Sequence, residues 1–489
     1  MKNTAIIFFL IATLVQAQTE KIIYVPGSTV KISQLVGDYD RERQSPTLNR
    51  TDSRYHLWGT DLGVPFRHHG RTYLLFGDTI GAANGDAIAY TTDTNPEDGL
   101  ELTFIHDANG IYKPVTIPGI SQGSFEVPME GTSVGGRMYI YHTTTHNNTV
   151  TMGRSVVAVS EDDGSTFRYL YDFSKLYFIN VSVVEVDLAQ WNGFPQNADS
   201  GLVIFGSGTF RQSNIRLAFQ PADSIEMPQS LRYFTGLNQT GTPQWSPREE
   251  EAEPLFSQPC VGELSVTYNP FLHKWLMLYN CGDPRGINFR TADQPWGPWS
   301  DSQVLFDPWR DKGYCHFMHV DWQFMNCDNV HDPNRENEWG GEYGPYQFAE
   351  LSTGTDSTTT IYFTMSTWNP YTVVLMKSTL KRIGAPSSVD HKISSQPAAF
   401  TLGQNYPNPF NGTTKINYTL PGASLVELAV YNLYGQRITV LLKRVKKEGH
   451  HYTVWDGTDA NGNPVASGIY YYQISAGGFA AMKKMILLR

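Results

Sequence analysis

The chain reads as all-β: a five-bladed β-propeller followed by a small immunoglobulin-like β-sandwich. Three observations predict this. The composition is turn-rich and aromatic, with 43 Gly, 28 Pro, 27 Tyr, 25 Phe and 11 Trp in 489 residues, and long helical periodicity is hard to find. Strong apolar strand runs recur at 73–77, 138–141, 202–206, 275–280 and 361–364, roughly 65 to 85 residues apart. A tail of six short alternating runs follows a polar linker. The runner-up for the larger part, a two-sheet sandwich, does not need a five-fold rhythm.

Met1-Lys2-Asn3, an apolar run over 5–15 and Val15-Gln16-Ala17 form a charged n-region, an h-region and a small-residue cleavage site. Residues 1–17 are therefore a secretory signal peptide, too short in its apolar part to span a bilayer. Residues 25–385 divide into five units of about 72 residues, the size of a four-stranded blade with loops. Within them, Ser160-Glu161-Asp162-Asp163-Gly164-Ser165-Thr166-Phe167 resembles the Asp-box hairpin turn of propellers. Its Asp and Ser/Thr side chains satisfy turn backbone groups and its aromatic packs inward, so it is structural.

Four cysteines in an exported chain suggest disulfides. Three pairings exist; hairpin placement favours Cys260 with Cys281 and Cys315 with Cys327. Residues 386–398 are Ser/Pro-rich and form a linker. From 399 to 489, strands are expected at 416–420, 426–431, 436–442, 451–456, 468–475 and 480–488, with a turn at Asp459-Ala460-Asn461-Gly462.

The net charge is −10 and the pI about 5.7. No basic stripe interrupts it, so nucleic acid is excluded as the expected partner. The abundant Tyr and Trp suit stacking on sugar rings, although β-core packing explains most of them.

The chemistry centres on one hairpin. Trp58 to Phe66 and Arg71 to Thr79 are β-type runs around a polar turn containing Gly70. If Arg67 pairs with Arg71, Asp61 faces Gly77 and Thr60 faces Asp78. The two carboxylates then stand at the open end, roughly 5–8 Å apart at the backbone. Carboxyl groups that close push their pKa values apart, dividing acid from base or nucleophile. Glycoside hydrolysis uses such a pair. The bland alternative is that each Asp caps a loop.

Glu130 and Glu263 each precede or open an apolar run in a separate unit, where inner strands aim at a common axis. His319 and Asp321 share a face if 316–321 is a strand, and His142 ends the strand after Glu130. Thr60, Glu130, His142, Glu263, Arg290 and His319 are thus the candidate substrate-binding residues, beside Asp61 and Asp78 as catalytic. An Asp/His cluster at the axis would suit a structural ion, but the sequence shows no complete ligand set and no cofactor is expected.

Two resemblances add to this. Leu402-Gly403-Gln404-Asn405-Tyr406-Pro407-Asn408-Pro409-Phe410-Asn411, Val430-Tyr431-Asn432-Leu433-Tyr434-Gly435-Gln436, Trp455-Asp456-Gly457-Thr458-Asp459 and Ala466-Ser467-Gly468-Ile469-Tyr470 resemble the C-terminal sorting domain of the type IX (Por) secretion system. That implies passage across a Gram-negative outer membrane, with release or surface attachment. Gly59-Thr60-Asp61-Leu62-Gly63, Phe76-Gly77-Asp78-Thr79, Gly262-Glu263-Leu264-Ser265-Val266, Arg290-Thr291-Ala292-Asp293 with Pro295-Trp296-Gly297-Pro298-Trp299-Ser300, and Asn369-Pro370-Tyr371-Thr372-Val373 resemble a propeller family once catalogued as a domain of unknown function. That family includes endo-D-arabinanases acting on mycobacterial cell-wall arabinan. The resemblance implies a secreted glycoside hydrolase, endo-acting on an arabinan-like or related polysaccharide, with the acid pair at Asp61 and Asp78. Three alternatives stand beside it: a non-catalytic carbohydrate-binding propeller on the cell surface, a sialidase-like enzyme using an Arg cluster, and a structural surface protein.

Overall fold

The computed structural model describes residues 20–146, 153–195, 198–384 and 401–488, the last stretch without 406, 421–422, 434–435, 448 and 477–478. The expected signal peptide and linker lie outside the described residues. The chain divides into two compact units, Met1–Pro386 and Ser387–Arg489.

Among the described residues the first unit is built of five main antiparallel sheets, with one five-residue helix, Thr51–Tyr55. The first sheet runs Leu57–His68, Arg71–Gly81, Ala87–Thr91 and Thr103–Phe104; the second Pro128–Val134, Arg137–Thr144, Arg154–Ser160 and Arg168–Ser174. The third begins Asn180–Asp187 and Ser200–Ser207, and the fourth Leu264–Asn269 and Lys274–Asn280. The fifth joins Glu342–Gln347, Thr358–Thr367 and Thr372–Ile383, and takes Lys21–Tyr24 and Val30–Gln34 onto its last strand. The leading strand of each sheet touches that of the next, and Glu342–Gln347 closes back on Leu57–His68. The sheets therefore radiate from one closed ring of inner strands.

The five apolar runs legible in the sequence are the second strands of the five sheets. Each lies between two neighbours within its sheet and between two sheets, so both faces are buried. A strand buried on both sides reads as a continuous apolar run. Trp275, Tyr73, Tyr139 and Phe205 are wholly or almost wholly enclosed there.

The first hairpin reaches one of its two expected pairings, Asp61 with Gly77, by a different route, while Thr60 and Asp78 are not partners in the register. Its turn is the two-residue His69-Gly70, both at positive φ, so His68 rather than Arg67 pairs with Arg71. An extra residue at Gly63 (φ +78) shifts the register by one, and Asp61 comes to face Gly77 after all. Glycine is required at 77, because a Cβ there would stand 2.7 Å from Val127 and 2.9 Å from the Asp61 carboxylate.

The Ser160–Phe167 turn is structural, as its pattern predicts. Asp162 accepts from the Thr166 backbone (2.8 Å) and hydroxyl (2.7 Å), and Phe167 is buried. The cysteines pair as Cys260–Cys281 and Cys315–Cys327. The second disulfide sits in a long connection, 307–341, that contains no strand. Residues 316–321 are therefore loop, contrary to expectation.

Among the described residues the second unit holds two sheets, Thr401–Leu402/Thr414–Leu420/Gly449–Trp455 and Arg437–Lys446/Ser424–Asn432/Gly468–Ala476/Phe479–Leu487. All six expected strands are present. Ile416, Tyr418 and Trp455 from one sheet enclose a shared core with Val430, Tyr472 and Leu487 from the other.

Inner strands pack closely enough that a methyl group at Gly131 would overlap the Phe66 ring. Gly131→Ala is expected to cost about 1–3 kcal/mol by overpacking, read as a lower urea midpoint at unchanged m-value.

Candidate active site

The open end of the first hairpin forms one wall of a cavity of about 670 Å³. Asp78, Asp86, Phe125, Glu126, Trp368 and Tyr371 are among its lining residues. Trp368 and Phe125 expose 45% and 43% of their surfaces, presenting flat apolar faces at the rim.

Asp78 sits at φ +39. Its two carboxylate oxygens accept from the Phe125 backbone N–H at 2.8 and 3.1 Å. Burial raises its pKa to about 6; the Phe125 N–H opposes this, and the Asp86 and Glu126 charges add to it. Asp61 is buried just behind. Its Oδ2 accepts from the Tyr343 hydroxyl at 3.0 Å. Burial first, and the charge of Asp78 second, hold its carboxyl well above the usual range, while the nearby hydroxyls of Tyr343 and Tyr371 pull the other way. Tyr371 links the pair, since its hydroxyl donates to the Asp78 carbonyl at 3.2 Å. Thr60 positions rather than faces the cavity: its hydroxyl donates to the Gly77 carbonyl at 2.7 Å and meets Thr79 at 2.8 Å.

The other expected residues separate into groups. His142 is enclosed, and its Nε2 stands 3.1 Å from Asp86, whose carboxyl lines the cavity. Burial raises the Asp86 pKa, while His142 and the Asp78 backbone N–H favour its charged form. Glu130 and Glu263 lie at the ring of inner strands. Burial first, and the charges of Glu263, Glu130 and Asp61 after it, raise the pKa of Tyr346, which is fully enclosed there. Glu130 ties two sheets together: its carboxyl accepts from Gly131 (2.9 Å) and from Val183 of the next sheet (3.0 Å). Glu263 pairs with Arg211 at 3.5 Å. Neither lines the cavity. Among the described residues, the axial acids do not bring three ligand atoms within 4.8 Å of one another.

Arg290 and His319 do not line this cavity. Arg290 stacks on Phe256 at 4.3 Å and bonds Gln258 at 2.7 Å, locking the fourth sheet's rim away from the cavity. His319 is enclosed in the loop between the fourth and fifth sheets. Its Nδ1 meets Asp328, not Asp321, at 2.5 Å, and its Nε2 meets the Glu336 carbonyl at 2.8 Å. Asp321 instead accepts from the Gln323 backbone.

Sequence reasoning missed Asp86, Glu126, Trp368 and Tyr343. Asp86 follows Asn84-Gly85, which reads only as a turn. Tyr371 stood in a quoted motif without a role.

The family described as a domain of unknown function (DUF4185) matches residues 46–377. The FlgD Ig-like domain matches residues 404–478. No curated protein matches the chain. Among solved structures, the chain is similar to a GH43_1 enzyme from Xanthomonas citri at 13% identity, covering 66% of this chain and 88% of that one with a TM-score of 0.38. A GH62 hydrolase in complex with xylotriose gives 11% identity, 72% and 98% coverage and 0.38. Zg3597, a family 117 glycoside hydrolase of Zobellia galactanivorans, gives 11%, 76% and 93%, and 0.31.

Burial raises the Glu130 pKa to about 8, against its two backbone donors. The native chain then holds a proton that the unfolded chain has lost above its ordinary value of 4.5. Stability therefore falls as pH rises from there to about 8. Glu130→Gln is expected to lower the Tm at pH 5, through one lost hydrogen bond, and to flatten the decline between pH 5 and 8. An equally steep decline in the variant would contradict this.

Proposed function

We propose that this chain, which belongs to the DUF4185 family, is an exported, five-bladed propeller glycoside hydrolase. Its substrate would be an arabinan-like furanoside polymer cut internally, and Asp61 and Asp78 its acid pair. One observation carries the catalytic part: two carboxyls paired on one hairpin are both raised, Asp78 to about 6 and facing the cavity, Asp61 well above its ordinary value and buried behind it. Environments that push two carboxyl groups apart divide acid from base. At neutral pH Asp78 is largely ionised, suited to activate water or attack the sugar. Asp61, its carboxyl raised by burial, is the general acid to the leaving oxygen in this reading.

The rim supports a carbohydrate substrate. Trp368 and Phe125 offer stacking faces, and Arg335, Glu338 and Glu126 supply polar contacts for hydroxyls. The furanoside class comes from the motif resemblance around Asp61, Asp78 and Tyr371, not from cavity shape. Export through the signal peptide and the type IX machinery likewise rests on the terminal motifs, and the two disulfides agree with an oxidising destination.

Asp86 supports a second assignment of the pair, because it lines the cavity where Asp61 does not. Reducing-end release from a polysaccharide panel that includes arabinogalactan and plant arabinan separates these readings. Asp61→Asn and Asp78→Asn are each expected to lower kcat by at least about a hundredfold while the Tm is kept, with Asp86→Asn within about tenfold. A collapse in Asp86→Asn with activity kept in Asp61→Asn would exchange the two. Retention of polymer with no release by the wild type would make the chain a binding propeller.

The pH profile gives a separate check. The rate should rise with pH through about 6 as Asp78 ionises, then fall at higher pH as Asp61 loses its proton. A profile flat from pH 5 to 7 would rule out Asp78 as the ionised partner.

A further inference from the structure

We infer that His68, His69 and Asp163 form a binding site for a divalent transition-metal ion of the zinc or copper type. It lies at the closed end of the first hairpin, seven strand residues and roughly 20 Å from Asp61.

Adjacent strand residues normally point to opposite faces. Here the two-residue turn reverses that. His69 and Gly70 both take positive φ, +44 and +78, the pairing that closes tight hairpins. The chain folds back, and the two imidazoles stack with centroids 4.0 Å apart and planes 29° from parallel. The third member comes from the second sheet. In the Ser160–Phe167 turn, Asp162 satisfies the turn's own donors, while Asp163, at φ +56, points across to the hairpin. Two motifs that read separately as a turn and an Asp-box thus meet between sheets.

The donor geometry suits a metal. His68 Nε2 and His69 Nδ1 both aim at one oxygen, Asp163 Oδ1, at 2.9 and 2.8 Å. All three ligand atoms lie within 4.8 Å of one another. Tetrahedral ligands at about 2.0–2.1 Å from zinc stand about 3.3 Å apart. Replacing the shared protons by an ion therefore asks each contact to open by about 0.4 Å, within rotamer adjustment. His68 Nδ1 meets Ser133 Oγ at 2.7 Å, the outer hydrogen bond that fixes the ring of a ligating histidine. His68 is enclosed, while the side chains of His69 and Asp163 are 53% and 50% exposed. An ion can enter from solvent, with water completing its shell. Imidazole with carboxylate favours zinc, copper or nickel over calcium or magnesium. Because the ligands come from two sheets, the ion would clamp the first to the second.

The test uses the full exported chain, dialysed against micromolar Zn²⁺ and assayed for bound metal and Tm. One equivalent of Zn²⁺ and a raised Tm are expected. His69→Ala, at an exposed turn position, and Asp163→Asn should each weaken binding by at least tenfold and abolish the Tm rise, while their metal-free Tm stays close to wild type. With Cu²⁺, electron paramagnetic resonance should show coupling to two imidazole nitrogens, reduced to one in His69→Ala. Failure of the wild type to retain Zn²⁺ or Cu²⁺, or retention unchanged in both variants, would overturn the site and leave the acid-pair reading untouched.

Discussion

Asp61, Glu130 and Glu263 are all buried at the ring of inner strands. Any charge carried there must be paired or neutralised, because an isolated buried charge is far too costly. Asp61, Glu130 and Glu263 sit under that constraint, and the chain answers it differently for each. Glu263 has the Arg211 guanidinium. Glu130 has two backbone donors and a pKa near 8. Asp61 has tyrosine hydroxyls, and burial holds its carboxyl well above the usual range. The same closure that makes the sheets radiate thus holds one carboxyl well above the usual range. Its neighbour Asp78 lines the cavity, with a pKa raised only to about 6.

Much of this was legible in the residues. Second strands announce themselves because they are enclosed on both faces, and their spacing reports the number of sheets. The hairpin carried its pair because Asp61 and Asp78 flank two unmistakable β runs. Even there the register was reached through two offsetting irregularities, a tighter turn and the Gly63 bulge, which no periodicity reveals. Loops defeated the reading. His319 and Asp321 sit two apart and suggest a strand face, but the disulfide-tied connection bends them apart and supplies Asp328 instead. Arg290 looks like a ligand-seeking cation in sequence; in space it is consumed by Phe256, Gln258 and the Ser300 carbonyl. Asp86 is the converse case, an acid hidden in turn chemistry that only the fold brings beside Asp78.

The cavity itself is assembled from distant stretches. Gly59 must lack a side chain because the Tyr371 backbone passes 2.9 Å from where its Cβ would stand. Tyr371 in turn is anchored by Asp332, which accepts from its N–H at 2.7 Å. The disulfide-bearing loop therefore fixes a tyrosine of the fifth sheet, which holds the backbone of an aspartate in the first. Positioning passes through the chain's irregular parts as much as through its strands.

The fifth sheet has a further consequence. It pairs Lys21–Tyr24 and Val30–Gln34 with Thr372–Ile383, and the Thr379 N–H donates to Ser28, 351 positions away. Contacts of such separation are the slowest to form, since nearly the whole unit must be ordered before they return any free energy. A ribosome releases these early strands long before their partner exists. The fifth sheet is therefore completed only after synthesis has passed residue 383.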